Sequence, residues 1–158
     1  MRLSPDICDL VFRALFCLIF IGLGMEHLVS DQLLQHLMPA WVPEKRLISM
    51  ACGLWLVGWG SLILLGWRVR MAAWALGAFL VGVTALVHLP GILAYSAQVP
   101  AECEWTWQIL QRSNLVKNLC LLGVCFHLLH HQVGRYSLEH YLEPVSVSPP
   151  SGLRPPGP

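Results

Sequence analysis

The sequence of residues 47–89 is LISMACGLWLVGWGSLILLGW-RVR-MAAWALGAFLVGVTALVHL, two apolar runs that are separated only by Arg68, Val69 and Arg70. A transmembrane helix needs about 20 mostly apolar residues, and each run meets that length. A connection this short implies that the two helices are antiparallel neighbours. The stretch therefore predicts a helical hairpin that crosses a membrane.

Two further stretches are apolar enough to be predicted as spans. The four predicted spans are at about residues 7–25, 47–67, 71–89 and 115–131. The first does not resemble a cleavable signal, because Asp6, Asp9 and Arg13 lie around it and no A-x-A-like site follows. We therefore expect an all-α fold, an antiparallel four-helix transmembrane bundle with short interfacial helices.

The composition excludes several classes of protein. The chain is 56% hydrophobic and 12% charged, whereas a soluble domain carries about 25% charged residues. Its net charge of +1 gives no support to a nucleic-acid surface. The six cysteines form no C-x-x-C pair and no zinc-like Cys/His spacing, so we predict no metal site. Cys103 lies in a polar stretch, and we expect it to be a free thiol. The expected partner common to all readings is the lipid bilayer.

The chain predicts one membrane domain, residues 1–143, and a tail at 144–158 that holds six prolines and is expected to be disordered. Amphipathic patterns predict a short interfacial helix within 28–46 and a weak helix within 136–142. We expect Pro90-Gly91 to disrupt the third helix, and residues 95–113 to form a loop.

Pairs of small residues at helical spacing predict where the helices pack. These pairs are Ser49–Gly53, Ala73–Gly77 and Ala78–Gly82. In lipid, close backbone approach and van der Waals contact replace the hydrophobic driving force.

The arginine distribution predicts the orientation. Arg2, Arg68, Arg70, Arg135 and Arg154 fall on one predicted side of the membrane. Because Lys and Arg are enriched in cytoplasmic loops, we predict a multi-pass protein of the cytoplasmic (inner) membrane with both termini in the cytoplasm.

Arg13 lies inside the first predicted span, and two interpretations of it stay open. Its long side chain can snorkel to the nearby interface and its headgroups. Alternatively, it can pair with Asp9, its i−4 neighbour on the same helix face.

Several polar residues fall at the predicted outer face. A histidine beside a carboxylate, such as His27 beside Glu26, can relay protons or bond a quinone headgroup; an ordinary solvated helix end is the alternative. His88 is flanked by apolar residues, and it either faces a cavity or is satisfied by a neighbour. Lys117, at a predicted helix N-terminus, needs a negative partner such as Glu26 or Glu104.

These residues predict one outer-leaflet ligand pocket, and no catalytic residue is assigned. The pocket residues are Glu26, His27, His88, Trp105, Asn114, Lys117 and Asn118. At the opposite end, His127, His130 and His131 have the spacing of a weak metal site, although a solvated helix end is the favoured interpretation.

A series of short motifs resembles the DoxX-like small membrane proteins over about residues 10–130. The motifs are Gly22-x-Gly24-Met25-Glu26-His27, Met38-Pro39-Ala40-Trp41-Val42-Pro43, Gly53-Leu54-Trp55, Arg68/Arg70 with Ala72-Ala73, Val87-His88-Leu89-Pro90, Glu104-Trp105-Thr106 and Asn118-Leu119-x-Leu121-Leu122-Gly123. The resemblance implies a mostly bacterial four-helix membrane bundle, with relatives that take part in quinone reduction with thiosulfate as donor or in complexes that resist oxidative stress. It marks Glu26, His27, His88, Pro90, Trp105 and Asn118 as family-motif positions. This chain lacks the paired cysteines of redox-active relatives.

Two functions follow as hypotheses. The first is a redox-associated subunit that holds a quinone or lipid headgroup in the outer pocket, with a membrane or redox protein as partner. The second is a non-catalytic partner or assembly subunit. A transporter is disfavoured because the sequence shows no internal symmetry and no interrupted helix pair. Whether the chain is an enzyme is left open, and quinone is the one cofactor that the resemblance implies.

Overall fold

The structure is a computed structural model that describes residues 4–30, 35, 38, 41–93 and 100–142. These residues form helices and contain no strand, so the predicted all-α fold is confirmed. The helices are α1 (Pro5–Val29), α2 (Lys45–Leu65), α3 (Val69–Leu93, with a π-helical turn at Thr84–His88), α4 (Glu104–Leu128) and α5 (Leu138–Leu142), and a 3-10 turn covers Ala101–Cys103.

Helix α1 is longer than the predicted 7–25 at both ends. The Oγ atom of Ser4 caps it by accepting the N–H of Ile7 at 3.4 Å, and Pro5 occupies the first turn, where its missing N–H costs nothing. Helix α1 packs most closely on α2. A Cβ atom added at Gly24 would lie 2.9 Å from the carbonyl oxygen of Gly53, so two glycines let these backbones approach.

Helices α2 and α3 form the predicted hairpin, shifted by two residues at the turn. Gly66 ends α2 with a φ of 65°, a left-handed conformation that glycine adopts without strain. Arg68, with a φ of 49°, precedes α3. The turn therefore consists of Gly66, Trp67 and Arg68 alone, and it reverses the chain.

The predicted break of the third helix at Pro90-Gly91 is wrong. The helix continues to Leu93, and the five residues before Leu89 form a π-helical turn in which the N–H of Leu89 donates to the carbonyl of Thr84. Proline disturbs the α-helical turn that precedes it. Here that turn is widened to a π-helical one, and the helix passes through Pro90.

The predicted loop at 95–113 and the predicted span at 115–131 are also wrong in their bounds, because α4 already begins at Glu104 and ends at Leu128. Trp107 and Gln111, in the supposed loop, are buried and bond to α3. This packing stabilises a helix in a segment that is too polar for a hydropathy rule to detect.

Three of the four long helices in the described part of the chain are apolar enough to cross a membrane by length and composition, one fewer than predicted. They are Pro5–Val29, Lys45–Leu65 and Val69–Leu93. Helix α4 has the same length as α1 but carries charged and amide side chains such as Arg112, Lys117 and Asn118. It packs on α3 and completes the bundle.

Two of the three small-residue pairs lie at helix interfaces. Ser49 and Gly53 are buried against α1, and Ala73 and Gly77 are buried in the core, Gly77 facing α4. The third prediction is wrong, because Ala78 is exposed and a Cβ added at Gly82 would meet open space.

The remaining predictions concern the connections. Helix α5 lies within the predicted 136–142 segment. The predicted interfacial helix within 28–46 falls largely on residues outside the described ones, as does the tail at 144–158. Cys103 is exposed and free, as expected, and the other five cysteines are free as well.

Candidate functional site

Polar side chains gather at the two ends of the bundle. We call them the His88 end, where α1 and α3 finish and α2 and α4 begin, and the Arg68 end, where α2 turns into α3 and where α5 lies. The predicted pocket belongs to the His88 end, whereas Arg13 belongs to the Arg68 end.

At the His88 end, a ladder of side-chain hydrogen bonds joins α3 to α4. His88 Nδ1 lies 2.7 Å from Gln111 Oε1, and Asn118 Nδ2 donates to Thr84 Oγ1 at 3.1 Å. The indole N–H of Trp107 donates to the carbonyl of Gly91 at 3.0 Å. We call these three bonds the α3–α4 polar ladder.

Two bonds of the ladder are made by residues of the π-helical turn in α3. Thr84 and His88 are the first and last residues of the π-helical turn, and each bonds to α4. Single π-helical turns occur frequently at functional sites in helices. The turn thus coincides with the place where α3 presents polar side chains to its neighbour.

The hydrogen bond to Gln111 also determines which nitrogen of the neutral His88 ring carries the proton. Because Gln111 Oε1 accepts a hydrogen bond from Nδ1, the neutral imidazole carries its proton there and leaves Nε2 as an acceptor. Among the described residues, Nε2 has no partner. The ring is half-buried, so this acceptor is available to a ligand that donates a hydrogen bond.

A second acceptor lies one turn away on α4. The Oε1 atom of Gln108 is buried and has no hydrogen-bond partner among the described residues. Gln108 and Gln111 are three residues apart and therefore lie on the same side of the helix. An unsatisfied buried acceptor costs about 1–3 kcal/mol, and a bound donor would remove that cost.

The predicted residues of α1 form a separate contact. His27 Nδ1 lies 3.0 Å from Ser49 Oγ, and that hydroxyl donates to the carbonyl of His27 at 3.4 Å. Glu26, the next residue, is exposed. His27 thus joins the end of α1 to the buried start of α2.

Lys117 has its direct hydrogen-bond partner on its own helix. Its ammonium group donates to Asn114 Oδ1 at 2.8 Å, one turn back on the same helix. The carboxylate of Glu26 attracts it electrostatically, but within the described part of the chain no carboxylate lies within 4.0 Å of it. A direct ion pair of Lys117 is thus not present among the described residues, and the approach of Glu26 or Glu104 to within reach of one water stays a prediction.

The structure thus places six of the seven predicted residues in three groups. His88 and Asn118 belong to the α3–α4 polar ladder, Asn114 and Lys117 bond to each other beside it on α4, and Glu26 and His27 lie on α1. Trp105 belongs to none of these groups and is 75% exposed. Ligand binding by these residues stays a prediction.

Four residues of the site were missed: Thr84, Trp107, Gln108 and Gln111. A signal for the last two is present in the sequence, since Gln108, Gln111, Asn114 and Asn118 recur at intervals of three, three and four residues. That spacing is typical of one face of a helix.

At the Arg68 end, Arg13 is completely buried, and each of its three guanidinium nitrogens makes a hydrogen bond. Its Nε lies 3.0 Å from Asp9 Oδ2, and its two terminal nitrogens donate to the carbonyls of Leu64 at 2.8 Å and Tyr136 at 2.6 Å. The interpretation as an Asp9 ion pair is confirmed, and the snorkelling alternative is wrong.

Asp9 in turn holds the segment after α4. Its two oxygens are bonded by His131 Nε2 at 2.7 Å, by the N–H of Gly134 at 3.0 Å and by Arg13. His131 is therefore not a solvated helix end, although His127 and His130 are exposed. We call this set the Asp9–Arg13 network. It joins α1, the end of α2 and residues 131–136.

Comparison with known proteins adds one positive finding. A family model described as DoxX matches residues 8–89, just over half of the 158-residue chain. The match includes Glu26, His27 and His88 but ends before α4. No curated protein and no solved structure matches the chain.

Proposed function

The chain belongs to the DoxX family and is a multi-pass integral membrane protein, and we propose that it holds the headgroup of a quinone or a lipid at the His88 end as a subunit of a redox-associated assembly. The proposal rests on the residues of α3 and α4 described above. It assigns no catalytic step to the chain alone.

The observation that carries the proposal is a pair of acceptors, the half-buried His88 Nε2 and the buried Gln108 Oε1, for which the described part of the chain provides no hydrogen-bond donor. Acceptors at membrane depth favour a ligand with hydroxyl groups, because each O–H would satisfy one of them. The ring hydroxyls of a reduced quinone, a quinol, fit this requirement. So does a lipid headgroup that carries hydroxyl groups.

The residues have distinct roles in this site. Gln111 holds the His88 ring in one orientation and one tautomer, so that Nε2 can accept a hydroxyl proton. Gln108 provides a second, neutral acceptor. A bound quinone would supply the electron-transfer chemistry itself, and a redox protein partner would exchange the electrons.

A specific observation favours the alternative, a non-catalytic assembly subunit. Four further polar residues at this end already bond to one another, in the pairs Asn118–Thr84 and Lys117–Asn114. In addition, an apolar groove of about 280 Å³ lies between α3 and α4, lined by residues that include Trp74, Val81 and Phe126. Such a groove accommodates a lipid chain or a partner helix.

Orientation is part of the proposal. Ser4 and the segment around Gly134 both lie at the Arg68 end, since Gly134 bonds to Asp9 near the start of α1. This supports termini on the same side of the membrane. Together with Arg68 and Arg70 in the short turn, it favours a cytoplasmic Arg68 end in a bacterial inner membrane.

The test is the lipid content of the purified protein. We expect the full chain, extracted from its membrane in mild detergent, to retain quinone or one hydroxylated lipid in about equimolar amount, measured by mass spectrometry of the organic extract. His88→Asn and Gln108→Leu should each reduce this retention. His127→Asn, at the other end of α4, is the matched control.

The outcomes separate the two functions. Retention that is the same in His88→Asn, Gln108→Leu and the control would contradict a ligand at this site. A stoichiometric protein partner without any retained quinone or lipid would favour the assembly subunit. Circular dichroism of each variant confirms that the helices are intact.

A further inference from the structure

The Arg68 end contains a cavity that the proposed function does not use. Its volume is about 660 Å³, and it lies between the α2–α3 turn, the end of α4 and α5. Five cationic or titratable basic side chains line it: Arg68, Arg70, His130, His131 and His140. Glu139 is the one carboxylate among the lining residues.

The two arginines have N–H donors that make no hydrogen bond to the described residues. Arg70 is exposed, and its Nε donates to the carbonyl of Leu129 at 2.8 Å, which fixes the guanidinium at the cavity wall. Arg68 is exposed, lies 5.9 Å from the centre of the Trp67 ring and is otherwise bonded only to the sulfur of Met71, among the described residues. Most of the ten N–H donors that two guanidinium groups carry are therefore unused.

His131 links the cavity to the buried Asp9–Arg13 network. Its Nε2 lies 2.7 Å from Asp9 Oδ1, while the residue also lines the cavity. The His131 ring thus bonds to the Asp9 carboxylate and also borders the cavity. An anion in the cavity would thus interact with a residue that the fold holds in place.

The position of the cavity indicates the source of such an anion. Arg68 and Arg70 lie where two apolar spans end, after Leu65 of α2 and at the start of α3. This is the depth at which lipid phosphates lie, and Trp67 beside them is a residue enriched at that interface. Basic pockets between membrane helices are a recurrent form of site for acidic lipid headgroups.

We propose that this cavity binds a phosphate group, namely the phosphodiester headgroup of an acidic phospholipid. Planar guanidinium groups bond two phosphate oxygens at once, and imidazole N–H groups of the lining histidines are further donors. The site is independent of the His88 end, since it takes an anion and involves other residues of α3 and α4.

The experiment uses the full chain in detergent micelles, titrated with phosphatidylglycerol, with zwitterionic phosphatidylcholine and, separately, with inorganic phosphate. Native mass spectrometry counts the bound lipids, and thermal unfolding followed by circular dichroism reports the stabilisation. Arg68→Gln and Arg70→Gln are the variants. Arg112→Gln, an exposed arginine at the His88 end, is the matched control.

We expect phosphatidylglycerol to bind at least tenfold more tightly than phosphatidylcholine. Each arginine variant should weaken phosphatidylglycerol binding about fivefold, the usual contribution of one basic residue near an acidic membrane surface, and Arg112→Gln should not. If inorganic phosphate alone stabilises the protein as strongly and with the same dependence on Arg68, the site holds but its ligand is free phosphate.

Two results would overturn the proposal: equal affinity for the two lipids, or wild-type affinity for phosphatidylglycerol in Arg68→Gln. Arg68→Gln removes no hydrogen bond to the backbone among the described residues, so it keeps the test decisive if Arg70→Gln, which loses the bond to Leu129, fails to fold.

Discussion

Replacing Asp9 with asparagine should destabilise the protein far more than its position near a helix end suggests. The substitution keeps the shape of the side chain but removes the charge that faces Arg13 at 3.0 Å. The guanidinium is fully buried, so water cannot replace the lost carboxylate. A buried cation without a counter-charge is the expected result.

The expected loss of unfolding free energy follows from the burial of the Asp9–Arg13 ion pair. Removing one partner of a buried ion pair costs about 3–5 kcal/mol, and a domain is stable by only about 5–15 kcal/mol. The carbonyls of Leu64 and Tyr136 still accept hydrogen bonds from Arg13, which keeps the cost within that range. Asp9→Asn should therefore remove a large part of the free energy of unfolding.

The assay is a double-mutant cycle of Asp9→Asn and Arg13→Gln, with unfolding in mixed micelles followed by far-UV circular dichroism. The double variant should lose less stability than the sum of the single variants, with a coupling of about 0.5–3 kcal/mol. Glu102→Gln, an exposed carboxylate at the other end, should change stability by less than about 0.5 kcal/mol. Single effects that add to within about 0.5 kcal/mol would refute the reasoning.

Further expectations concern three glycines and the topology. Gly66→Ala should abolish stable folding in a thermal melt, because its Cβ would lie 2.5 Å from the Cβ of Ser137 and the residue has a φ of 65°. In the same assay Gly82→Ala, where the added Cβ meets open space, should be neutral or should stabilise the protein by about 0.5–1 kcal/mol. Gly24→Ala should lower the melting temperature by separating α1 from α2, and a wild-type value would contradict that packing. In intact cells an impermeant thiol reagent should label Cys103, whereas Ser151→Cys in a Cys103→Ser background should react only after lysis; the reverse pattern would invert the topology.

The fold was largely predictable because apolar runs determine it directly. The hairpin of α2 and α3 followed from the two runs on either side of Arg68-Val69-Arg70. The start of α4 was missed because tertiary contacts of Trp107 and Gln111 stabilise it, and a hydropathy rule does not register such contacts. The continuation past Pro90 depends on a π-helical turn, for which the residues give no local signal.

The polar sites were predictable only in part, for a related reason. The Asp9–Arg13 pair follows from a spacing of four residues on one helix. The partners of Arg13 at Leu64 and Tyr136 are backbone carbonyls, and every residue has a carbonyl, so sequence cannot select among them. His88 was identified as a candidate, but its partner Gln111 was assigned to a loop and was left out.

The position of Tyr136 has a consequence for biosynthesis. Arg13 is synthesised early and enters the membrane with α1, whereas the Tyr136 carbonyl and the N–H of Gly134, which hold Arg13 and Asp9, are synthesised more than a hundred residues later. Until the ribosome has produced that segment, the first helix carries a charged pair whose partners at Gly134 and Tyr136 do not yet exist. The network can therefore close only after residues 131–136 have been synthesised, so the start of α1 is completed by one of the last segments of the bundle to be made.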